Sequence, residues 1–559
     1  MNLKQKAASF LRVEGLSAQE LENLLTYTPD AKMGDVTLPC FKLAKTMHKA
    51  PQRIAEELKE QLTDNEWIAK AEAVNGYLNL FFHRAPVAAG VLNEVVTADG
   101  QYGSSREGTG KTICLDYSSV NIAKPFHIGH LGTTAIGSAL YKIYEYLGYR
   151  VVGINHLGDW GTQFGKLIVA YKLWGDEETI RRGGVKALQE IYVRFHKEEN
   201  EELDAQARQW FKRIEDGDAE AMRLFDWFKR ITLEEVSKIY TRLKVKFDSY
   251  AGESFYNDKM QPVLDLLKQK GLLVESNGAE VVKLEDYGMP PCLLRKADGA
   301  TLYATRDLAA AIYRKETYDF DKCLYVVAYQ QNLHFQQVFQ VLKLAGFPWA
   351  DDLVHVAYGM VSLEEGSMST RAGNVVWLTD VLEKAVEKAK DIIEQKSPNL
   401  PDKAAVAEQI GVGAVLFSAL QNGRMKDIVF TFDRVLNFDG ETCPYLQYTH
   451  ARCRSVLNKG GKIGRIDFSA LTDDDSMAVV RLLNAFPATV REAADKYEPS
   501  CISKYLIDLA QAYNKFYIEH RILTEDAPTQ NARLLLTQCT ASVLKTGLSL
   551  LGIDAPEQM

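Results

Sequence analysis

The strongest constraint in this chain is a change of hydrophobic period between residues 112 and 157. "TICLDYS" is a solid apolar run. Ile136, Leu140, Ile143 and Leu147 then recur at helical spacing, Gly148 is placed to end that helix, and "RVVGINHLGD" returns to an apolar run. An apolar run, an amphipathic helix and a second apolar run describe a strand–helix–strand unit, which closes by a right-handed crossover into a parallel sheet. The pattern returns downstream. "KCLYVVAY" (322–329) reads as a strand, Val338, Leu342 and Ala345 mark a helix stopped by Gly346, and "LVHVAYGMV" (353–361) reads as another strand. Two such halves make a doubly wound α/β core, a Rossmann-like architecture.

A chain of 559 residues is too long for one hydrophobic core and implies about three or four domains. Residues 1–108 read as a small α+β domain, with helical patterning at 17–26 and 51–62 and paired strands in "AEAVNGYLNLFF". The loop "DGQYGSSREGTGK" then reads as a linker. Residues 109–378 hold the α/β core. Within it, 176–245 is densely charged and helical, which predicts a surface insertion with solvated faces. From 379 to 559 apolar residues recur at helical spacing, as in Leu382, Val386, Ala389 and Ile393, which predicts an all-α bundle.

The net charge of −8 argues against an overall electrostatic grip on nucleic acid while leaving room for a local basic groove. The eight cysteines are scattered with no CxxC, which reads as reduced, packed thiols and gives no structural metal site. The amphipathic N-terminus resembles neither a signal peptide nor a membrane span, so a cytoplasmic protein is expected.

The chemistry concentrates in "SSVNIAKPFHIGHLG", where His127 and His130 stand at a strand-to-helix junction. A zinc pair needs further ligands, and no glutamate lies between or just after them to make an HExxH site. Core packing is the usual fate of a histidine. Here, however, the imidazoles coincide with a glycine and a helix N-terminus, whose unpaired N–H groups attract phosphate. Gly129 lets the backbone approach a ligand, and the crevice at the carboxyl ends of a parallel sheet is where a nucleotide sits. A nucleoside-triphosphate site is the favoured reading. The stretch "EGTGKT" (107–112) mimics a P-loop, but Ser105 stands where the first glycine belongs and the stretch precedes a strand instead of following one.

His127-Ile128-Gly129-His130 resembles the HIGH signature of class I aminoacyl-tRNA synthetases. Together with "NHLGDWGTQFG", "LYATRDLAAA", "AYQQNLHF", "GSMSTRAGN" and "DGETCPYLQYTHAR", in that order, it is similar to the arginyl-tRNA synthetase branch. The resemblance implies an enzyme that couples L-arginine to tRNA(Arg) through an arginyl adenylate, using ATP with Mg2+ as the substrate complex. It also implies a monomer in which tRNA precedes amino-acid activation. It assigns His127, His130, Lys124 and Arg371 to catalysis. Ser119, Asn121, Glu253, Tyr303, Asp307 and Gln331 go to arginine. Gly129, His334, Gly359, Met360, Val361, Met368 and Ser369 go to ATP. Tyr303 and Asp307 stand i and i+4, hence on one face of a helix, and a carboxylate there suits a planar guanidinium. Where the family's KMSKR-like loop falls, this chain reads Ser367-Met368-Ser369-Thr370-Arg371, without either lysine. The resemblance then has Lys124, just before the histidines, supply a cation from the other side of the triphosphate.

The resemblance makes the C-terminal bundle an anticodon-binding domain and has the N-terminal domain meet the tRNA elbow. Tyr445, Tyr448, Tyr513 and Phe516 are candidates to stack on bases, although a helical aromatic stripe is more often core. Two other readings compete with this one: a catalytically silent tRNA-binding paralogue and a small-molecule adenylating ligase. Both histidines, Lys124, Arg371 and the pocket set argue against the first, and the whole C-terminal bundle argues against the second.

Overall fold

A computed structural model of the chain describes residues 1–28, 31–62, 65–297, 299–363, 375–435 and 440–559. They form two compact units, each assembled from separated stretches of sequence. One comprises Met1–Tyr102, Arg452–Pro487 and Asp508–Leu544; the other comprises Gly103–Ala451, Ala488–Ile507 and Lys545–Met559. The C-terminal helical region is therefore shared between them. One boundary falls at Pro487, inside the helix Asp474–Asp495, where a backbone N–H is missing.

The second unit is built on a four-stranded parallel sheet. Its order is Leu353–His355, Lys322–Tyr325, Thr112–Asp116 and Arg150–Ile154. All five residues of Thr112–Asp116 are buried, as expected of a central strand covered on both faces. The helix Leu131–Tyr146 crosses from this strand to Arg150–Ile154. It lies close to the sheet because Gly137 presents no side chain: a Cβ there would stand 2.3 Å from the Tyr117 ring. Leu147 ends that helix and Gly148 follows at φ +84°, as the sequence predicts. The first strand pairs with Arg150–Ile154 on one side and Lys322–Tyr325 on the other, so it sits where the two halves diverge. In a sheet of this type the crevice beyond that point receives the ligand.

The expected strand "LVHVAYGMV" is broken. Leu353–His355 belongs to the main sheet, whereas Val361–Leu363 leaves it to pair in parallel with Ile428–Phe430. Gly359 explains the break. Its N–H donates to the Arg424 carbonyl (2.7 Å), and a Cβ would meet the Lys426 backbone at 2.6 Å, so the chain is pulled onto residues 424–428.

The insertion comprises helices Glu177–Glu198, Glu201–Glu215 and Ala219–Arg242, capped by Asp176, Asn200 and Asp218. Its outer faces carry ion pairs one helical turn apart, such as Arg181 with Glu177. Its inner faces bury Leu188, Phe195, Trp227 and Phe228. A three-stranded antiparallel sheet, Leu273–Ser276, Ala279–Val282 and Cys292–Arg295, follows, which the hydrophobic pattern did not predict. The helix Lys403–Leu420 is the one described helix long and apolar enough to cross a bilayer, and 72% of it is buried in protein.

The first unit carries a four-stranded antiparallel sheet, ordered Thr26–Tyr27, Val36–Pro39, Tyr77–Phe82 and Ile68–Val74. The last two are the paired strands expected in "AEAVNGYLNLFF", joined through Asn75-Gly76, both at positive φ. Tyr513 and Phe516 are fully buried among its C-terminal helices, so they pack and do not stack on bases. In the other unit Tyr448 is exposed. All eight cysteines are free thiols.

Candidate active site

The histidines stand where the sequence places them. A single 3-10 turn, Ile128–His130, leads from the first strand's loop into the helix Leu131–Tyr146. His127 Nδ1 accepts the Gly129 N–H (3.0 Å), and His130 Nδ1 accepts the His127 N–H (3.2 Å). An Nδ1 that accepts carries no proton, so both rings hold their proton on Nε2 and can donate it. The ring centroids are 4.0 Å apart. Burial pushes His127 down to about 4, helped by the Lys124 charge. It pushes His130 down to about 3, helped by His127. At neutral pH the pair is therefore two neutral N–H donors at the positive end of a helix.

The loop before the histidines is strained. Ser118, Ser119 and Ala123 have φ of +69°, +45° and +57°, a region that L side chains rarely adopt. Side chains hold each in place. The Ser118 N–H donates to Thr133 Oγ1 (3.0 Å) and its hydroxyl bonds Thr134 and Tyr240. Ser119 Oγ donates to Asp116 Oδ1 (2.8 Å), and the Ala123 N–H donates to Thr232 Oγ1 (3.0 Å). Asn121 lies over Gly158, where a Cβ would meet its Oδ1 at 2.1 Å, and backbone bonds from Ile122 to Gly158 and from Gly158 to Val120 lock the two loops together. Lys124 follows directly, and its charge reaches both imidazoles and Glu253.

A second cluster carries the carboxylates. Asp307 lies on the helix Tyr303–Tyr318, one turn after the exposed Tyr303 (65% accessible). Its Oδ2 pairs with His334 Nε2 at 2.6 Å. Burial opposes the Asp307 charge, but the bond to His334, together with the charges of His334, His156 and Arg314, outweighs it and holds the carboxyl below its usual range. Glu253 differs. Burial pushes it up to about 7, against the pull of Arg306, whose guanidinium stands 3.7 Å away. Gln331 is exposed at the entry to the helix Asn332–Leu344. Beneath these groups Arg314, 1% accessible, donates to Asp116 Oδ2 (2.7 Å) and approaches His156 Nδ1 (3.4 Å). Asp116 thus takes Ser119 on one oxygen and Arg314 on the other.

His334 therefore stands against a carboxylate expected to meet arginine, although the sequence reading gave it to ATP. Gly359, Met360 and Val361 sit at the turn away from the main sheet. The Met360 N–H donates to Asp427 (2.7 Å) and its carbonyl accepts from Ile428 (2.8 Å), so both of its backbone groups already have protein partners. Arg371, Met368 and Ser369 lie outside the described residues. Sequence reasoning missed Asp116, Asp159, Thr232 and Arg314. Of these only Asp159 carried a local signal, a carboxylate in the glycine-flanked run "LGDWG". The P-loop look-alike forms turns on the C-terminal end of the helix Leu131–Tyr146, with the Gly108 N–H donating to the Leu147 carbonyl. That is the negative end of a helix, and it repels phosphate.

Neutral imidazole donors, a helix N-terminus and Lys124 make one side of this site receptive to phosphate. Glu253 and Asp307 make the other receptive to a cation.

Three families match the chain in order. "Arginyl tRNA synthetase N terminal domain" covers residues 2–82, "tRNA synthetases class I (R), catalytic domain" covers 91–432, and "DALR anticodon binding domain" covers 446–559. The arginine–tRNA ligase of Alkaliphilus metalliredigens is 50% identical over the full length of both chains. That of Clostridioides difficile is 51% identical over 98% of each. Among solved structures, the arginyl-tRNA synthetase of Thermus thermophilus matches with a TM-score of 0.77 at 29% identity over 96% of each chain.

Proposed function

The chain belongs to the class I arginyl-tRNA synthetases, and from that membership we propose that it ligates L-arginine to tRNA(Arg) through an arginyl adenylate. The arginine carboxylate attacks the α-phosphate of ATP, pyrophosphate leaves, and the terminal ribose of tRNA then takes the arginyl group with release of AMP. The observation that carries this reading is the histidine pair, whose Nδ1 atoms are both committed to backbone N–H groups, leaving two Nε2–H donors at a helix N-terminus. His127 and His130 donate to phosphate oxygens as charge builds on them, which is positioning and electrostatics without a covalent enzyme intermediate. Lys124 adds positive charge on the same side. Magnesium enters with ATP and shares that neutralising role.

Asp307, kept ionised by His334, accepts the guanidinium of arginine, and Glu253 supplies the second carboxylate. Tyr303 and Gln331 flank the entrance. Ser119 and Asn121, held in a strained loop at the end of the central strand, take the α-amino and carboxylate end. Gly359 and Val361 border the adenine, and His334 acts through Asp307. The C-terminal helices receive the anticodon and the N-terminal domain the elbow of tRNA. The enzyme works as a cytoplasmic monomer.

The test is ATP-dependent charging of labelled arginine onto bulk tRNA, with arginine-dependent exchange of pyrophosphate into ATP measured with and without tRNA. Charging, with exchange that rises many-fold on adding tRNA, is expected. tRNA binding without charging would identify a silent paralogue, and adenylation of arginine without transfer to tRNA would identify a small-molecule ligase.

A further inference from the structure

The insertion is fastened to the arginine pocket by polar contacts that converge on a buried carboxylate, and these give it a task. Asp159, in the loop after the second strand, is fully buried (0% accessible). Its Oδ2 takes the Lys229 ammonium at 2.5 Å and the Ser254 hydroxyl at 2.7 Å; its Oδ1 takes the Ser254 N–H at 2.8 Å. Lys229 lies on the insertion's third helix, Ala219–Arg242. Ser254 follows Glu253 in the first turn of the short helix Glu253–Lys259. The Glu253 N–H itself donates to the Leu157 carbonyl (2.9 Å). Gly252 admits the carboxylate, since a Cβ there would stand 2.6 Å from Asp159 Oδ1. The backbone that presents Glu253 is thus held at two consecutive N–H groups by Leu157–Asp159, and the only cation bonded to Asp159 among the described residues comes from the insertion. One turn further along the same helix, Thr232 holds the strained Ala123 beside Lys124.

We propose that Lys229 is a positioning residue of the arginine pocket: it fixes the buried Asp159 carboxylate, which fixes the turn presenting Glu253, so the helical insertion sets the affinity for arginine. This rests on the assignment of Glu253 to arginine above. A buried carboxylate deprived of its cation is strongly disfavoured, and the cheapest response is for Asp159 and the Gly252–Ser254 turn to move apart or take up water. Either response displaces Glu253 and leaves the histidine pair, on a different loop, in place.

The test measures tRNA charging at saturating tRNA, varying arginine and ATP separately, on purified full-length variants. Lys229→Met is expected to raise the arginine KM about tenfold or more while the ATP KM and kcat stay within about twofold. Lys229→Arg is expected to recover most of the loss. Lys229→Met combined with Asp159→Asn, which buries no unpaired charge, is expected to be less impaired than Lys229→Met alone. Lys238→Met, on the exposed face of the same helix, serves as the control and leaves all constants unchanged. If Lys229→Met cannot be recovered folded, the double variant carries the test against Asp159→Asn alone. A Lys229→Met enzyme with an unchanged arginine KM overturns the proposal, as does one in which the arginine and ATP KM rise together. Glu253→Gln is measured alongside to separate the two claims. If it leaves the arginine KM unchanged, the assignment of Glu253 fails; if it raises that KM and Lys229→Met does not, only the role of Lys229 fails.

Discussion

The proposed arginine site carries a pH dependence of its own. Glu253 is pushed up to about 7 because it is buried, and Arg306, at 3.7 Å, only partly compensates. Asp307 is held below its usual range by His334. One carboxylate of the pocket is therefore ionised throughout the working range, and the other loses its charge as pH falls through about 7. A cationic substrate binds the ionised form, so its binding must expel the proton whenever Glu253 carries one. The free-enzyme fraction with Glu253 ionised is about one tenth at pH 6 and about nine tenths at pH 8, so the arginine KM should be about tenfold higher at pH 6. Saturating arginine restores the ionised form, so kcat should change much less. The assay is tRNA charging at saturating ATP and tRNA, with arginine titrated between pH 5.5 and 8.5. The Glu253→Gln enzyme should show a higher KM that no longer depends on pH in this window. An arginine KM that is flat for the native enzyme, or equally steep in Glu253→Gln, would falsify the reasoning.

The same displacement fixes a stability prediction. A carboxyl whose folded-state value is raised costs nothing below its unfolded value near 4.5, costs progressively more up to about 7, and costs the full amount above it. Glu253→Gln should therefore stabilise the free protein by up to about 3 kcal/mol at pH 8 and by nothing at pH 4. Denaturant unfolding at the two values measures both. A site that destabilises the empty protein in order to hold a cation is the expected pattern for a binding residue.

The features legible in the sequence were local. The crossover from Thr112 to Ile154 was readable because hydrophobic period changes within one stretch, and the paired strands of residues 71–82 because both lie in one short run. The left-handed backbone at Ser118, Ser119 and Ala123 was not readable, since none is glycine. Their partners are Thr133, 15 residues on from Ser118, Asp116, 3 residues before Ser119, and Thr232, 109 residues on from Ala123, and no hydrophobic period marks any of the three. Asp159 and Lys229 are 70 residues apart and Asp116 and Arg314 are 198 apart, separations that no periodicity records. The continuous strand expected at 353–361 failed for a related reason: the pull on Gly359 comes from residues 424–428. His334 was assigned to the nucleotide by resemblance, and only geometry shows its ring against Asp307. The insertion's charge run did mark solvated faces, but the polar residues that matter to the site are on the opposite face.

Three further expectations can be checked on single variants. Asp307→Ala should cost about 2–5 kcal/mol in arginine binding, because it leaves a guanidinium and His334 unpaired, and lysine should remain a poor substrate since an ammonium cannot replace the planar fork; comparing kcat/KM for the two amino acids settles it. His130→Ala should lower the chemical step by about 10²–10³, whereas His130→Asn, which keeps an N–H donor, should lose less, and native activity should show no limb near pH 6.5 from either histidine, because both stay neutral down to about 4. Lys124 is the remaining case. Neutral imidazoles can donate hydrogen bonds to a phosphate but bring no charge, so the net positive charge on this side must come from elsewhere, and Lys124 is the cation whose field reaches both rings. Its backbone is fixed through Ala123 and Thr232, which places it without help from the substrate. Lys124→Ala should therefore depress single-turnover transfer of arginine to tRNA by about 10²–10³ while the arginine KM at pH 8 barely moves. Because Lys124 also draws Glu253 downward, the midpoint of the arginine KM profile should shift to higher pH in the same variant. Unaltered single-turnover transfer in Lys124→Ala would show that the triphosphate draws its charge neutralisation from other groups.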